Sequence, residues 1–415
     1  MEKYIISGGK KLSGRARVHG AKNAVLPIMA AAILAGDKCR IFDCPNLSDV
    51  HASIDILRTL GCQAELCDDI LKIDSSTVLG YEIPEELMLK MRSSIIFLGA
   101  LVGKMGRARV SSPGGCELGN RPIDLHIKAL KELGMEITEE NGFIEINSLR
   151  AHSADIHLSF PSVGATENII LSSIHLKGET TISNAAKEPE IVDMCEFLNK
   201  MGANISGAGT EFITIKGVAH LHGAEHKVMP DRIVASTLMC AAMTTKSEIE
   251  LLNVRSSHLG AVVSVLRDSG AKIEFFNDKM YIRAPEIIKG ADMIKTQVYP
   301  GFPTDVQSVM MASLCYAEGT SIIVENIFDS RYKIIPELKK MGADILQDGR
   351  VAVIKGQKLS GAHIVARDLR GGAALTVAAL GASGESVLEG IHFINRGYVN
   401  LDDMLCQLGA DIKKI

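Results

Sequence analysis

Residues 111–126, SSPGGCELGNRPIDLH, set a single thiol, Cys116, between a Pro-Gly-Gly turn and the Arg121-Pro122 start of a charged helix. Most free cysteines behave as small buried hydrophobes, but this one falls where the chain should be exposed and mobile. Positive surroundings lower a thiol's pKa from about 8.5, which suits such a group to move a proton near neutrality. Its counterpart is Asp305 in FPTDVQS. A carboxylate at a helix start among basic residues should stay ionised and able to take a proton from a hydroxyl. Arg121 in GNRPID, Arg331 in FDSRYK and Arg396 in INRGYV occupy one position of an internal repeat, with Lys187 and Glu188 in AKEPEI at another copy. An arginine fork matches carboxylate and phosphate, each of which can take two N–H bonds. Any one of these arginines alone reads as a solvated surface residue. Three in register, joined by Lys22 and Arg370, point to a small molecule carrying both phosphate and carboxylate.

The elements that must hold these groups are repeats. Gly61, Gly134, Gly202, Gly270, Gly342 and Gly409 follow amphipathic helical stretches at spacings of 67 to 73 residues, and each precedes an alternating, strand-like run. Such glycines end helices, because glycine enters the left-handed conformation without penalty. A second set of stretches interleaves with the first, among them KNAVLPIMAAAILAG, SVGATENIILSSIHLKG and TDVQSVMMASLCYAEG. These are rich in small residues and apolar nearly all round, so they predict buried helices. The unit reads helix, strand, amphipathic helix, strand, strand, in six copies. The buried helices need cover on every side, which favours two closed α/β globules of three units over a linear solenoid. Their starts carry Lys22-Asn23, Arg92-Ser93, Ser162-Val163-Gly164, Asp231-Arg232, Thr304-Asp305 and Arg370. Helix N-termini attract anions, and cations there oppose the dipole. A ligand with several negative charges would offset that conflict.

Composition narrows the classes. At 415 residues the chain exceeds what one core usually supports, while 45 basic against 49 acidic residues argue against a nucleic-acid or anionic-membrane surface. Nine scattered cysteines with no CxxC pair predict reduced thiols in a cytoplasmic protein rather than a disulfide framework or a zinc site. The first residues, MEKYIISGGKKLSG, show no apolar signal region, and runs such as AVLPIMAAAILAG are too short to span a membrane. No Walker A or HExxH pattern appears, and the histidines show no metal-ligand spacing.

The stretches GAKNAVLPIMAAAIL, PGGCELGNRPIDLHIKAL, PSVGATENI, EPEIVD, PDRI, FPTDVQS and RGYVNLDDML run in order along the whole chain. Together they resemble the UDP-N-acetylglucosamine 1-carboxyvinyltransferase family, enolpyruvyl transferases that open peptidoglycan synthesis. The resemblance implies two inverse α/β barrel domains, each of three pseudo-symmetric repeats of about 70 residues. The first spans 22–229 with the Cys116 loop, and the second is assembled from 1–21 and 230–415 with Asp305 and Arg396. It implies that the sugar 3-hydroxyl adds to C2 of phosphoenolpyruvate while C3 gains a proton, after which C3 loses a proton and phosphate leaves. By motif, Lys22, Arg121 and Arg396 hold phosphoenolpyruvate, Asn23 bonds the tetrahedral intermediate, Cys116 is the general acid and Asp305 the base. Arg92, Arg121, Pro122, Ile123, Asp124, Leu125, Ser162, Val163 and Gly164 match the uridine-diphosphate side. Ile327 lies where the family contacts the nucleotide, and Arg331 and Arg370 match its supporting arginines. Cys116 also corresponds to the thiol that fosfomycin alkylates. No metal or organic cofactor is implied.

Phe160 stands where many relatives place a lysine, Phe393 for a histidine and Asn395 for an aspartate beside Arg396, and Gly371-Gly372 stands where alanine or serine is expected in one position. Two alternatives remain beside the main reading. The 3-phosphoshikimate 1-carboxyvinyltransferases share fold and phosphoenolpyruvate but lack the cysteine loop, so PGGCELGNRP argues against them. A non-catalytic UDP-sugar-binding relative is the other, since departures cluster by Arg396.

Overall fold

A computed structural model describes residues 2–111 and 123–415, with the backbone alone at Arg92. Cys116, Arg121 and Pro122 lie outside the described residues. These residues divide into two compact units, one of 2–19 with Pro230–Ile415, the other of 20–111 with 123–229.

Each unit is organised around three helices with little polar surface. In the unit containing residue 20 these are α1 (Lys22–Ala35), α2 (Ile96–Met105) and α3 (Val163–Ser173). In the other they are α4 (Arg232–Thr244), α5 (Thr304–Leu314) and α6 (Leu369–Gly381). Every residue of α1 except Asn23 is buried, as an all-round apolar helix requires. In the first unit α2 packs on both α1 and α3, and in the second α4, α5 and α6 pack on one another. Small residues allow the close approach. A Cβ on Gly99 of α2 would sit 2.6 Å from the backbone oxygen of Asn168 on α3, and one on Gly103 would sit 2.5 Å from that of Leu171.

The helices are covered by four-stranded sheets, six among the described residues. In one, Thr320–Val324 runs antiparallel to Val351–Lys355, which pairs with Asp344–Asp348, while Ile294–Lys295 joins Thr320–Val324 in parallel on its other side. That short parallel strand, just ahead of an inner helix, is an element the five-part sequence unit lacked. At two or three residues, as in Ile294–Lys295 or Asp155–His157, it is too short to show an alternation. The repeat glycines do take the left-handed conformation, with φ of 96° at Gly61, 76° at Gly134, 101° at Gly202, 103° at Gly270 and 98° at both Gly342 and Gly409. No helix among the described residues is long and apolar enough to cross a membrane.

Candidate active site

In the second unit the chemistry gathers where α5 begins. Pro303 ends the approach in an extended conformation, and Thr304 and Asp305 are the first two helical residues. Arg331 stands at the start of a short turn, Arg331–Ile334, that follows the strand Thr320–Val324. Its Nη2 donates to Asp305 Oδ1 and its Nε donates to Thr304 Oγ1 at 3.2 Å. Arg370, second residue of α6, donates from Nη2 to Asp305 Oδ2 at 3.3 Å. One carboxylate is therefore flanked by two guanidiniums, each almost wholly buried. Burial works against the charge on Arg370, but Asp305, with Tyr398 and Asp231, outweighs it and holds the guanidinium above arginine's ordinary range. Its Nη1 is buried and makes no hydrogen bond to the described residues.

Beneath this pair lies Glu325, 1% exposed. Its Oε1 accepts from Thr296 Oγ1 at 2.9 Å, Thr304 Oγ1 at 3.0 Å, Ile327 N at 2.9 Å and Phe328 N at 3.0 Å. Ile327 is half-buried. Arg396 closes a turn, Ile391–Arg396, and is half-buried. Two residues on, Tyr398 is fully buried, with its hydroxyl 2.9 Å from Thr237 Oγ1 and its ring 5.6 Å from the Arg370 guanidinium carbon.

The first unit builds its helix starts differently. Lys22 opens α1 and is buried, with Nζ 2.7 Å from Asp49 Oδ2. Asn23 beside it is exposed. Ser162 caps α3, its hydroxyl accepting from Ala165 N at 3.4 Å, and Val163 and Gly164 follow half-buried. Behind them Asn168 Oδ1 accepts the Gly99 N–H at 2.6 Å. That bond fixes the amide's orientation, so Nδ2 faces His126 Nδ1 at 2.8 Å and also donates to Gly164 O at 3.2 Å. The imidazole must then accept at Nδ1, which only its neutral form can do. Burial pushes its pKa down to about 4. Ile123 caps the helix Asp124–Glu132 that carries His126, and Asp124 and Leu125 are its first two residues. Arg92 begins the short turn Arg92–Ile95.

The structure thus joins Asp305, Arg331 and Arg370 by direct bonds, and ties Gly164 through Asn168 to the helix of Asp124 and Leu125. Asp49, His126, Asn168 and Glu325 escaped the sequence reading. For Glu325 a signal existed. In the alternation of TSIIVE, Ser321 and Ile323 point inward, and Glu325 is next on that face. Glu167 on α3 also escaped it. Burial, with Glu190 and Glu188 nearby, raises its carboxyl well above the usual range. Of the described thiols, burial pushes Cys44, Cys62, Cys195, Cys240 and Cys315 up to about 12, which leaves them little thiolate to react with.

Comparison with known proteins agrees over the full length. The family model of EPSP synthase (3-phosphoshikimate 1-carboxyvinyltransferase) matches residues 6–405. UDP-N-acetylglucosamine 1-carboxyvinyltransferase 2 of Caldanaerobacter subterraneus subsp. tengcongensis is 49% identical over 416 residues, covering 100% of both chains. The chain belongs to the EPSP synthase family, among the UDP-N-acetylglucosamine 1-carboxyvinyltransferases. UDP-N-acetylglucosamine 1-carboxyvinyltransferase 1 of Carboxydothermus hydrogenoformans is 48% identical, covering 100% of this chain and 99% of its own. Among solved structures of the family, the enolpyruvyl transferase NikO from Streptomyces tendae superposes with a TM-score of 0.91 at 26% identity, covering 100% of this chain and 98% of its own. EPSP synthase from Acinetobacter baumannii shares the fold, with a TM-score of 0.77 at 18% identity over 100% of both chains. The α/β fold described above, six four-stranded sheets around inner helices, is thus that of the enolpyruvyl transferases.

Proposed function

We propose that this chain transfers the enolpyruvyl group of phosphoenolpyruvate to the 3-hydroxyl of UDP-N-acetylglucosamine and releases phosphate. The reading is carried by full-length likeness, at 48 and 49% identity, to relatives named for that reaction. The Asp305 cluster supports it. Asp305 takes the proton of the sugar hydroxyl as its oxygen bonds to C2 of phosphoenolpyruvate, and Cys116 gives a proton to C3. The tetrahedral intermediate then loses a proton from C3 as the C2–O bond to phosphate breaks, leaving the enol ether. Lys22, Arg121 and Arg396 hold the phosphate and carboxylate, and Asn23 bonds the intermediate. Arg331 and Arg370 keep Asp305 aimed, and a guanidinium fork near the reacting oxygens stabilises charge that moves onto them. Arg92, the segment 121–125, Ser162, Val163, Gly164 and Ile327 take the uridine diphosphate. A cytoplasmic setting goes with this reading, supported by the eight described cysteines, all free thiols.

The test is phosphate release from phosphoenolpyruvate by the purified protein. Release that depends on UDP-N-acetylglucosamine, with the nucleotide sugar gaining the mass of an enolpyruvyl group, is the expected result. Release dependent on shikimate 3-phosphate instead assigns the sister reaction, and no release with either acceptor overturns the catalytic reading.

A further inference from the structure

We infer that Glu325 is a positioning residue that fastens the base and the nucleotide-contacting segment of the second unit as one piece. The inference rests on the proposed reaction, in which Asp305 is the base and Ile327 meets the nucleotide. Glu325 ends an inward-facing row with Ser321 and Ile323 and is 1% exposed, a costly place for a carboxylate unless donors surround it. They do. Oε1 receives two backbone N–H groups, from Ile327 and Phe328, and two hydroxyls, from Thr296 and Thr304, while Oε2 lies 3.0 Å from the Thr304 hydroxyl as well.

The Thr304 hydroxyl has one proton, and Glu325, acceptor only, takes it. Its lone pairs then face Arg331 Nε, which donates to it at 3.2 Å. Arg331 in turn reaches Asp305 with Nη2. Donor and acceptor order therefore runs in one direction, from Arg331 through Thr304 to Glu325, and sets the plane of the guanidinium that meets the base. The same carboxylate pins the backbone from Ile327 to Phe328, whose ring lies 5.2 Å from the Arg331 guanidinium carbon. Thr296, on the other side, secures the segment again: its hydroxyl donates to Glu325 and accepts the Asn326 N–H at 2.8 Å.

Glu325→Gln keeps the shape but brings an NH2 group into a shell made of donors. The expected result is a fall in kcat of about tenfold to a hundredfold and a rise of a few-fold in KM for UDP-N-acetylglucosamine. KM for phosphoenolpyruvate, assigned above to Lys22, Arg121 and Arg396, should stay within twofold. The acidic limb of the kcat profile should move, because Arg331 no longer meets Asp305 in the same plane. Thr304→Ser, which keeps the hydroxyl, should restore nearly wild-type values where Thr304→Val mimics Glu325→Gln. Backbone amide exchange at 326–328 should quicken in Glu325→Gln, a readout that needs no turnover. A folded Glu325→Gln protein with unchanged amide exchange overturns the inference, and so does a common fall in kcat and rise in both KM values with an unmoved pH profile. If wild-type protein turns over neither substrate pair, the functional reading fails alone, and amide exchange still decides whether Glu325 fastens the segment.

Discussion

Two helix starts, Thr304-Asp305 on α5 and Ser162-Val163-Gly164 on α3, are secured by opposite means. The first is secured by charge: Asp305 between Arg331 and Arg370, with Glu325 behind. The second is secured by neutral groups: a serine cap, the Asn168 amide and an uncharged imidazole. The charged start keeps an ionised acceptor where a proton must be taken, but it hangs on one residue, since losing Asp305 strips a counter-charge from two buried guanidiniums at once. The neutral start demands no countercharge and lets backbones come close, but only while His126 stays unprotonated. One is vulnerable to substitution, the other to acid and to bulk.

Breaking the charged start should have the largest effect. Asp305→Asn keeps the volume and removes the base, and general-base losses run at about 10²- to 10⁴-fold in rate. Phosphate release in the presence of UDP-N-acetylglucosamine should fall within that range, while KM for phosphoenolpyruvate changes little. Steady-state kinetics on folded variant checks this. A kcat within tenfold of wild type takes the base role away from Asp305 and makes its two arginines a structural cluster.

How far each start was legible follows from the same contrast. Arg370 stands out in the sequence because a cation at the start of an apolar helix opposes its dipole, Arg331 because it shares a repeat position with Arg121 and Arg396, and Asp305 because it is a carboxylate among basic helix starts. The repeat glycines were legible because left-handed conformation selects glycine. His126 and Asn168 gave no such sign: a histidine within DLHIKAL and an asparagine within GATENI fit ordinary helix positions. Their role depends on α2, α3 and the helix Asp124–Glu132 coming together, a long-range fact that no local pattern carries. The short strands such as Ile294–Lys295 escaped for a related reason, because pairing alone defines them.

Acid should expose the weakness of the neutral start. In the folded chain burial lowers the His126 pKa to about 4, against about 6.5 in an unfolded chain. The unfolded state therefore binds this proton first as pH falls, so the contribution is complete above pH ~6.5 and is lost progressively down to about 4. By linkage the loss is on the order of 3 kcal/mol. Urea unfolding at pH 7, 5.5 and 4.5 should show stability falling over that window, and His126→Gln should flatten the fall. An equal fall in the variant assigns the acid sensitivity to other groups. The ion pair of Asp305 with two arginines should be untouched by His126→Gln, so kcat at pH 7.5 should hold within a few-fold.

The smallest expected effect probes how tightly the neutral start is packed. In Gly99→Ala the new Cβ would lie 2.6 Å from both Asn168 O and Asn168 Oδ1, closer than carbon and oxygen can approach without displacement. The side-chain oxygen could rotate away, at the expense of the bond it accepts from the Gly99 N–H. The backbone oxygen cannot, because it belongs to the middle of a buried helix. One of α2 and α3 must therefore shift, and overpacking of this kind costs about 1–3 kcal/mol. The urea midpoint should drop accordingly with the slope unchanged. Adding Asn168→Ala should not rescue it, since the clash with the backbone oxygen persists and the amide bridge to His126 and Gly164 is lost as well. Recovery in the double variant would place the strain on the side chain alone, and the helix packing would then be looser than the distances between α2 and α3 require.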